Sequence, residues 1–345
     1  MSRGEYLVRR VGLGLLVVVG ALVITFIVSY VVPGDPARLY LGSRATAQSL
    51  AAARHELGLD QPLPLQFVSY VSRVLHGNFG ISLRTKRPIL EDIQIRLPAT
   101  LELVTSSMLL SLVVGLPIGV LGAARRGKLF DQVSRLITIG GVSIPSFWLA
   151  LILQLVLFLY LRWLPLGGRI SNEVMLAHPI KTITGFYLID AAVTANWIAW
   201  WDAVVHLVLP VVVLSTYPIS LVVRMTRASM IEVLTETYVT AARASGLTER
   251  EILFRFALKN AIVPTLTVLG LLFAYSITGS VLVEVVFSLP GLGSYMADAI
   301  MTSDIYVLFA VTLVVTLIYI LINLVVDLVQ SAIDPRVRLG ERGDR

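Results

Sequence analysis

The sequence predicts an all-α integral membrane protein with six transmembrane helices and a structured loop after the first. Three observations carry that prediction. Of 345 residues, 56% are hydrophobic and only 14% charged, whereas soluble domains run near about 45–50% and about 25%. Five apolar stretches reach the roughly 20 residues needed to cross a bilayer core of about 30 Å. Basic residues gather in alternate connections between those stretches. A chain this apolar has too little polar surface to coat a globule, which excludes a soluble enzyme, a disordered chain and a secreted disulfide scaffold. The absence of cysteine excludes thiol chemistry, Cys-ligated zinc and iron–sulfur clusters. With lipid as solvent, the net charge of +6 matters through its placement and does not indicate nucleic acid.

The first stretch, 11–33, is longer than a signal-peptide core, and Val31, Val32 and Pro33 offer no small-x-small cleavage site. It therefore reads as an uncleaved anchor. Residues 34–98 form a long outer loop that needs structure of its own. Within it, 46–57 reads as a helix carrying Leu50 and Leu57, Pro62 and Pro64 break it, and Leu65, Val68, Val71 and Leu75 give 65–75 helical spacing. Spans 99–124 and 134–161 follow. A second outer loop, 162–203, holds Trp163, Trp197, Trp200 and Trp201, as a membrane-interface belt or as a lid over a substrate path. Span 204–226 contains Pro210 and Pro218, which predict a kink that neighbouring helices can tolerate. Spans 263–287 and 304–328 complete the set.

The division that results is a tail and first helix at 1–33, the outer loop at 34–98, a five-helix core at 99–328 and a tail at 329–345. The core includes a polar segment at 227–262. Arg3, Arg9 and Arg10 precede the first span. Arg125, Arg126 and Lys128 join the second and third. Arg224, Arg227, Arg243, Arg250, Arg255 and Lys259 join the fourth and fifth, and Arg336, Arg338, Arg342 and Arg345 end the chain. These segments belong on the cytoplasmic side, so both termini are expected there.

The segment between the fourth and fifth spans is longer than a turn requires. It reads as two helices broken at Ser245-Gly246, since glycine takes the positive φ that ends a helix. Thr248 with Glu251 three residues on forms a capping box. The second helix is expected to place Ile252, Leu253 and Phe256 on one side, away from Arg250 and Arg255. A short helix mixing apolar and charged groups suits docking to a protein partner; the alternative is rest on lipid headgroups.

At this point a resemblance becomes specific. Thr240-Ala241-Ala242, three residues, Gly246, then Phe256-Ala257-Leu258 resembles the EAA loop of ABC importer permeases, E-A-A-x3-G-x9-I-x-L-P. Thr240, Phe256 and Lys259 depart from that pattern in the manner of the peptide-permease subgroup, whose Tyr-Val-x-x-Ala-Arg-Ala-x-Gly-Leu is matched by Tyr238, Val239, Ala242, Arg243, Ala244, Gly246 and Leu247. Further matches run along the chain: Pro33-Gly34-Asp35-Pro36-Ala37, Glu56 to Pro62, Gly77-Asn78-Phe79-Gly80, Arg96 to Leu103, Ser143 to Trp148, Phe287 to Gly293, and Asp334-Pro335-Arg336. Their order and number resemble a DppB/OppB-type permease, the dipeptide/oligopeptide/nickel class.

That resemblance implies a type I ABC importer permease fold and half of a translocation pathway for di- or oligopeptides. It implies as partners a second, DppC/OppC-type permease, two ABC ATPases and an extracytoplasmic binding protein, in the cell membrane of a prokaryote. The chain itself is then not an enzyme and binds no cofactor, with ATP and Mg²⁺ on the ATPases. Relatives of this class also carry nickel, glutathione or oligosaccharides. The residues implied in ATPase coupling are Thr240, Ala241, Ala242, Arg243, Gly246, Leu247, Arg250, Glu251, Phe254 and Phe256, with the helix at 246–256 in a groove of the ATPase. Gln154, Ser276, Thr278 and Ser280 are candidates to line the path. Glu102, Glu284, Asn323 and Asp327 are costly in lipid and are expected to bond between helices, with Glu102 near water.

Other signatures fall away. Gly122 to Lys128 nearly spells a phosphate loop, but Leu129 stands where a Mg²⁺-binding hydroxyl is needed. Gly291-x-Gly293 lacks a βαβ setting, His55-Glu56 lacks a second His at 59, and no G-x-S-x-G elbow occurs. A self-sufficient secondary transporter would need internal repeats or paired helix interruptions, which are not evident.

Overall fold

The computed structural model describes residues 3–31, 37, 45–56 and 60–333. The Pro33–Pro36 and Asp334–Arg336 matches and the tail arginines lie outside the described residues, as does the Leu57–Leu59 portion of the Glu56–Pro62 match. Thirteen helices account for the described fold: α1 Arg3–Val31, α2 Ala47–Glu56, α3 Leu63–Leu75, α4 Ile89–Ala124, α5 Leu129–Ser143, α6 Ser146–Tyr160, α7 Asn172–Ala177, α8 Tyr187–Val193, α9 Trp197–Val233, α10 Thr237–Ala244, α11 Glu249–Val286, α12 Leu292–Met301 and α13 Ile305–Ile333. Among the described residues there is no strand, only one isolated bridge between Ile81 and Pro88.

Four helices are individually long and apolar enough to cross a membrane: α4, α9, α11 and α13 through Val326. The remaining two expected spans need comment. In α1 the apolar part is Gly12–Val28, inside a 29-residue helix. The span expected at 134–161 is not one straight helix. It is α5 and α6, which bend by 103° at their junction. Pro145 is the cause: it has no N–H to continue the ladder, and it drives Ile144 out of the helical region to φ −83°, ψ 122°. By contrast α9 continues unbroken through Pro210 and Pro218.

The chain divides into two units. The first comprises residues 99–289 and 321 onward. Here α9 packs against α5, α6, α8 and α11. Glycine permits the closest approach along α4: a Cβ on Gly115 would lie 2.7 Å from Val222 Cγ1, and one on Gly119 would lie 2.7 Å from Thr226 Cβ. This is the Gly-x-x-x-Gly spacing by which membrane helices bring backbones together, since lipid leaves only packing and hydrogen bonds to hold them.

The second unit comprises residues 2–98 and 290–320. The loop after α1 does carry helices, as expected, though Pro64 sits in the first turn of α3 and does not separate two elements. Tyr70 of α3 shares a 3.0 Å hydrogen bond with Thr25 of α1, and Phe67 meets Phe26 edge-on at 5.2 Å. Ile89, Ile93, Leu292, Tyr295, Val307 and Val311 form its core. Asp92 accepts from Tyr295 at 3.0 Å and from Thr85. Asp304 accepts from Ser82 and from the Leu83 N–H. Helix α4 thus begins ten residues before the expected start of its span.

The 162–203 connection of the first unit is also ordered by a buried carboxylate. Burial of Asp190 opposes its ionisation. The Thr184 hydroxyl and the N–H groups of Thr184, Ile183 and Gly185 all donate to it and outweigh that cost, holding the carboxyl below its ordinary value. A depressed folded value means stability that is present above the unfolded value near about 3.9 and is lost as pH falls through the folded one. Proteolysis of 183–196 in nanodiscs is therefore expected to rise on acidification below about pH 4. Asp190→Asn is expected to raise it at neutral pH, by about 1–3 kcal/mol of local stability. Gly119→Leu is expected to lower the thermal midpoint of the purified protein, while Gly140→Leu, where a Cβ meets nothing within 4 Å, leaves it near wild type.

Candidate functional site

The segment 227–262 is built on a small core at one end of the first unit. Val120 and Ala123 of α4, Met230 of α9, and Leu253, Ala257 and Ala261 of α11 are buried together. Arg227 of α9 grips Asp131 of α5 with Nε at 2.6 Å and Nη2 at 3.0 Å. Asp131 also accepts the Gly127 N–H at 2.9 Å. The near-phosphate loop is accordingly a turn between two helices, with Gly127 at φ +78°. Neither Asp131 nor the role of Arg227 is visible from spacing, because the two lie 96 positions apart.

On this base sits α10, closed by Gly246 at φ +80°. The Leu247 N–H donates to the Ala242 carbonyl at 3.3 Å and the Gly246 N–H to that of Arg243 at 3.0 Å. This is the Schellman pairing that only an αL residue completes. Nothing lies within 4 Å of a Cβ built on Gly246, so its requirement is conformational. Thr248 then caps α11, its hydroxyl accepting from the Glu251 N–H while the Glu251 carboxylate accepts from the Thr248 N–H at 3.0 Å. Both the break and the capping box were legible in the sequence.

The expected separate helix at 246–256 is not found. Helix α11 runs from Glu249 into the membrane span as one element, and the free-standing short helix is α10. Residues Ile252–Ala257 of α11 are π-helical. The wider turn buries Ile252, Leu253 and Ala257 and turns Phe254, Arg255 and Phe256 outward. Phe256 therefore does not share the side of Ile252 and Leu253, as an α-helical period would have it. π-Turns commonly mark functional positions and are invisible to a 3.6-residue pattern.

Of the residues singled out, Thr240, Ala241, Arg243, Gly246, Arg250, Glu251, Phe254 and Phe256 are exposed, and Ala242 and Leu247 are half-buried. Two of the charges are used internally. Glu251 serves the cap, and Arg243 pairs with Glu249 through Nε at 2.8 Å, which raises the guanidinium further above its ordinary value. Arg250 and Arg255 have no hydrogen bond or ion pair among the described residues. Tyr238, absent from that set, is also exposed, and its hydroxyl accepts from Asn260 at 2.8 Å, tying α10 to α11. Tyr238, Phe254, Phe256, Arg250 and Arg255 are thus all exposed on a tightly bonded support, and the Glu251 carboxyl, held low chiefly by the Thr248 hydroxyl and N–H, is lowered further by nearby Arg255.

The four candidates for a path do not share a face. Ser276 and Ser280 are buried, whereas Thr278 is exposed. Ser280 and Thr100 donate to the wholly buried Glu284 at 2.9 and 2.7 Å. Gln154 opens the π-helical end of α6, where its amide donates to the Leu166 and Val286 carbonyls at 2.8 and 3.2 Å. Glu102 is buried, not bathed in water. It binds Arg169 at 2.6 Å and the Leu188 N–H at 2.7 Å, and Arg169 lies 3.6 Å over the Tyr187 ring. Arg169 was not anticipated, for want of any local signal. No group of acidic and histidine side chains suited to a metal occurs among the described residues.

Comparison with known proteins agrees with this architecture. Residues 115–339 match the family described as binding-protein-dependent transport system inner membrane component, and residues 3–104 match the N-terminal part of such a component. A probable D,D-dipeptide transport system permease of Escherichia coli (strain K12) is 43% identical over 94% of this chain and 95% of that protein. The dipeptide transport system permease DppB of the same organism is 38% identical over 97% and 98%. The di/tripeptide permease DppB of Pseudomonas aeruginosa is 40% identical over 87% and 88%. The inward-facing MetNI methionine ABC transporter has a chain of like fold, with a TM-score of 0.50 and 20% identity over 68% of this chain and 93% of that one. The chain is a multi-pass membrane protein that belongs to the family of binding-protein-dependent transport system inner membrane components.

Proposed function

We propose that this chain is one of two permease halves of a peptide-importing ABC transporter in a prokaryotic cell membrane, with both termini in the cytoplasm. An extracytoplasmic binding protein delivers a di- or oligopeptide. A second, similar permease completes the pathway, and two ATPases that bind ATP and Mg²⁺ drive it. The observation that carries the reading is the cluster of exposed aromatic and basic residues on α10 and the first turns of α11, set on a bonded support. Exposed large apolar groups together with exposed arginines at a membrane protein's polar end suit a protein interface. The near-full-length likeness to dipeptide permeases supports peptide as cargo.

Mechanically, α10 is the element that meets the ATPase, and the start of α11 carries its displacement. A linkage of this kind must be stiff, because a loose loop would absorb the motion. The Schellman closure, the capping box, the Arg243–Glu249 pair and the Tyr238–Asn260 bond supply that stiffness at four points.

Affinity purification of the tagged chain in mild detergent is expected to bring down a second permease and P-loop ATPases, with ATP hydrolysis. A lone chain with no ATPase would overturn the reading. In proteoliposomes, Gly246→Val is expected to leave ATP hydrolysis but to lower dipeptide uptake per ATP severalfold, since a β-branched residue in αL costs about 1–2 kcal/mol or more. Gly246→Asn, which tolerates αL, is expected to fall between Val and wild type. Equal coupling in all three would remove the closure from the mechanism.

A further inference from the structure

Where α6 ends and the 162–203 connection folds back, Gln154, Leu166, Ser171, Asn172, His206 and Ser288 line much of a pocket of about 450 Å³. Two of its polar side chains are more than nine-tenths buried, Gln154 at 8% and His206 at 7% exposure. Each is held by one end and free at the other. The Gln154 amide nitrogen faces two carbonyl oxygens, of Leu166 and Val286. Only a donor can sit there, so the orientation of the amide follows, and Oε1 is left with no hydrogen-bond partner among the described residues. His206 Nδ1 lies 2.8 Å from the Asp202 carbonyl, so Nδ1 carries a proton, and Nε2, the acceptor of that tautomer, has no hydrogen-bond partner among the described residues. Both side chains line the pocket.

No lysine or arginine lines the pocket. The Asp202 carboxylate lies behind His206, 3.4 Å from Nδ1, and also accepts the Ser171 N–H at 2.6 Å. A carboxylate beside the histidine, in a pocket lined by no basic side chain, favours a cationic donor. The wall is rigid. A Cβ on Gly167 would lie 2.2 Å from the Phe287 carbonyl oxygen, and the Gly168 N–H donates to that oxygen at 2.8 Å. Backbone and glutamine together fasten the loop to the end of α11.

We infer that this pocket is a subsite for the primary ammonium of the cargo, the amino terminus of a small peptide, taken by Gln154 Oε1 and His206 Nε2. The inference rests on the peptide-import reading above and deepens it. The ammonium has three donors and loses its water on entry, so acceptors fixed in advance replace that water without further ordering.

The test uses the assembled transporter in proteoliposomes, with saturating binding protein and a labelled dipeptide. Asn places an amide nitrogen where imidazole Nδ1 lies, so His206→Asn keeps the bond to the Asp202 carbonyl and removes the pocket-facing acceptor. Gln reaches the Nε2 position, so His206→Gln keeps a polar atom in the pocket and gives up the internal bond. Uptake is expected to fall about tenfold in His206→Asn, the weight of one hydrogen bond to a charged donor, and to stay within about twofold of wild type in His206→Gln. Co-purification of the partners checks assembly in each. If His206→Gln is impaired as much as His206→Asn, the histidine is structural and the subsite is overturned. The same follows if both variants transport as wild type. A wild-type complex that imports no dipeptide overturns the peptide reading itself, a result these variants cannot produce.

Discussion

A buried carboxylate must find hydrogen-bond donors or a counter-charge within the protein, and two of those in the first unit are held by arginines. Asp131 is held by Arg227 at the end that bears α10, and Glu102 by Arg169 at the end that bears the 162–203 connection. Each acid is almost wholly buried. Against an apolar replacement a buried pair gains little, because desolvation offsets attraction. Removing one partner is what costs, about 3–5 kcal/mol. The pairs therefore fix geometry more than they add stability. Each forces a connection to lie against the helix ends, and Asp131 and Glu102 recruit backbone N–H groups besides, which orders the connection itself.

The same logic separates what the sequence makes legible from what it hides. Signals confined to a few neighbouring residues survive into the structure. Gly246 ends α10, and Thr248 and Glu251 cap α11, because each answers a backbone need within its own turn. Apolar length likewise locates the spans, since the bilayer sets it. Contacts distant along the chain have no such local trace. Arg169 meets Glu102 across 67 positions, and Ser82 meets Asp304 across 222. A lone charge in a polar loop looks the same whether it faces water or a buried acid.

Two departures come from changes of helical geometry that a fixed period cannot express. Pro145 lies in an apolar run long enough for a span, so composition reads straight through it. The proline nonetheless turns the chain by 103°, whereas Pro210 and Pro218 leave α9 intact. The difference lies in the residue before. Ile144 leaves the helical region, while the residues before the other two remain helical, as packed neighbours allow. At Ile252–Ala257 the turn widens. On an α period Phe256 would lie one turn from Ile252 and Leu253 and join the buried side. The π-turn moves Ala257 into that place and leaves Phe256 outside with Phe254. The exposed aromatic pair thus depends on one extra residue per turn, which no hydrophobic period records.

That widened turn also begins the longest continuous element of the chain. Helix α11 has 38 residues and spans about 55 Å at about 1.5 Å per residue. Its first turns carry Phe254 and Phe256, with α10 bonded to it through Asn260. At its other end, the Val286 and Phe287 carbonyls accept from Gln154 and Gly168, which wall the pocket. The ladder of α11 is interrupted by the π-turn at Ile252–Ala257 and by Pro264, and the hydrogen bonds between and beyond them resist shortening because lipid cannot replace them. On the proposed reading, α11 is the element that joins the partner-facing α10 to the pocket wall.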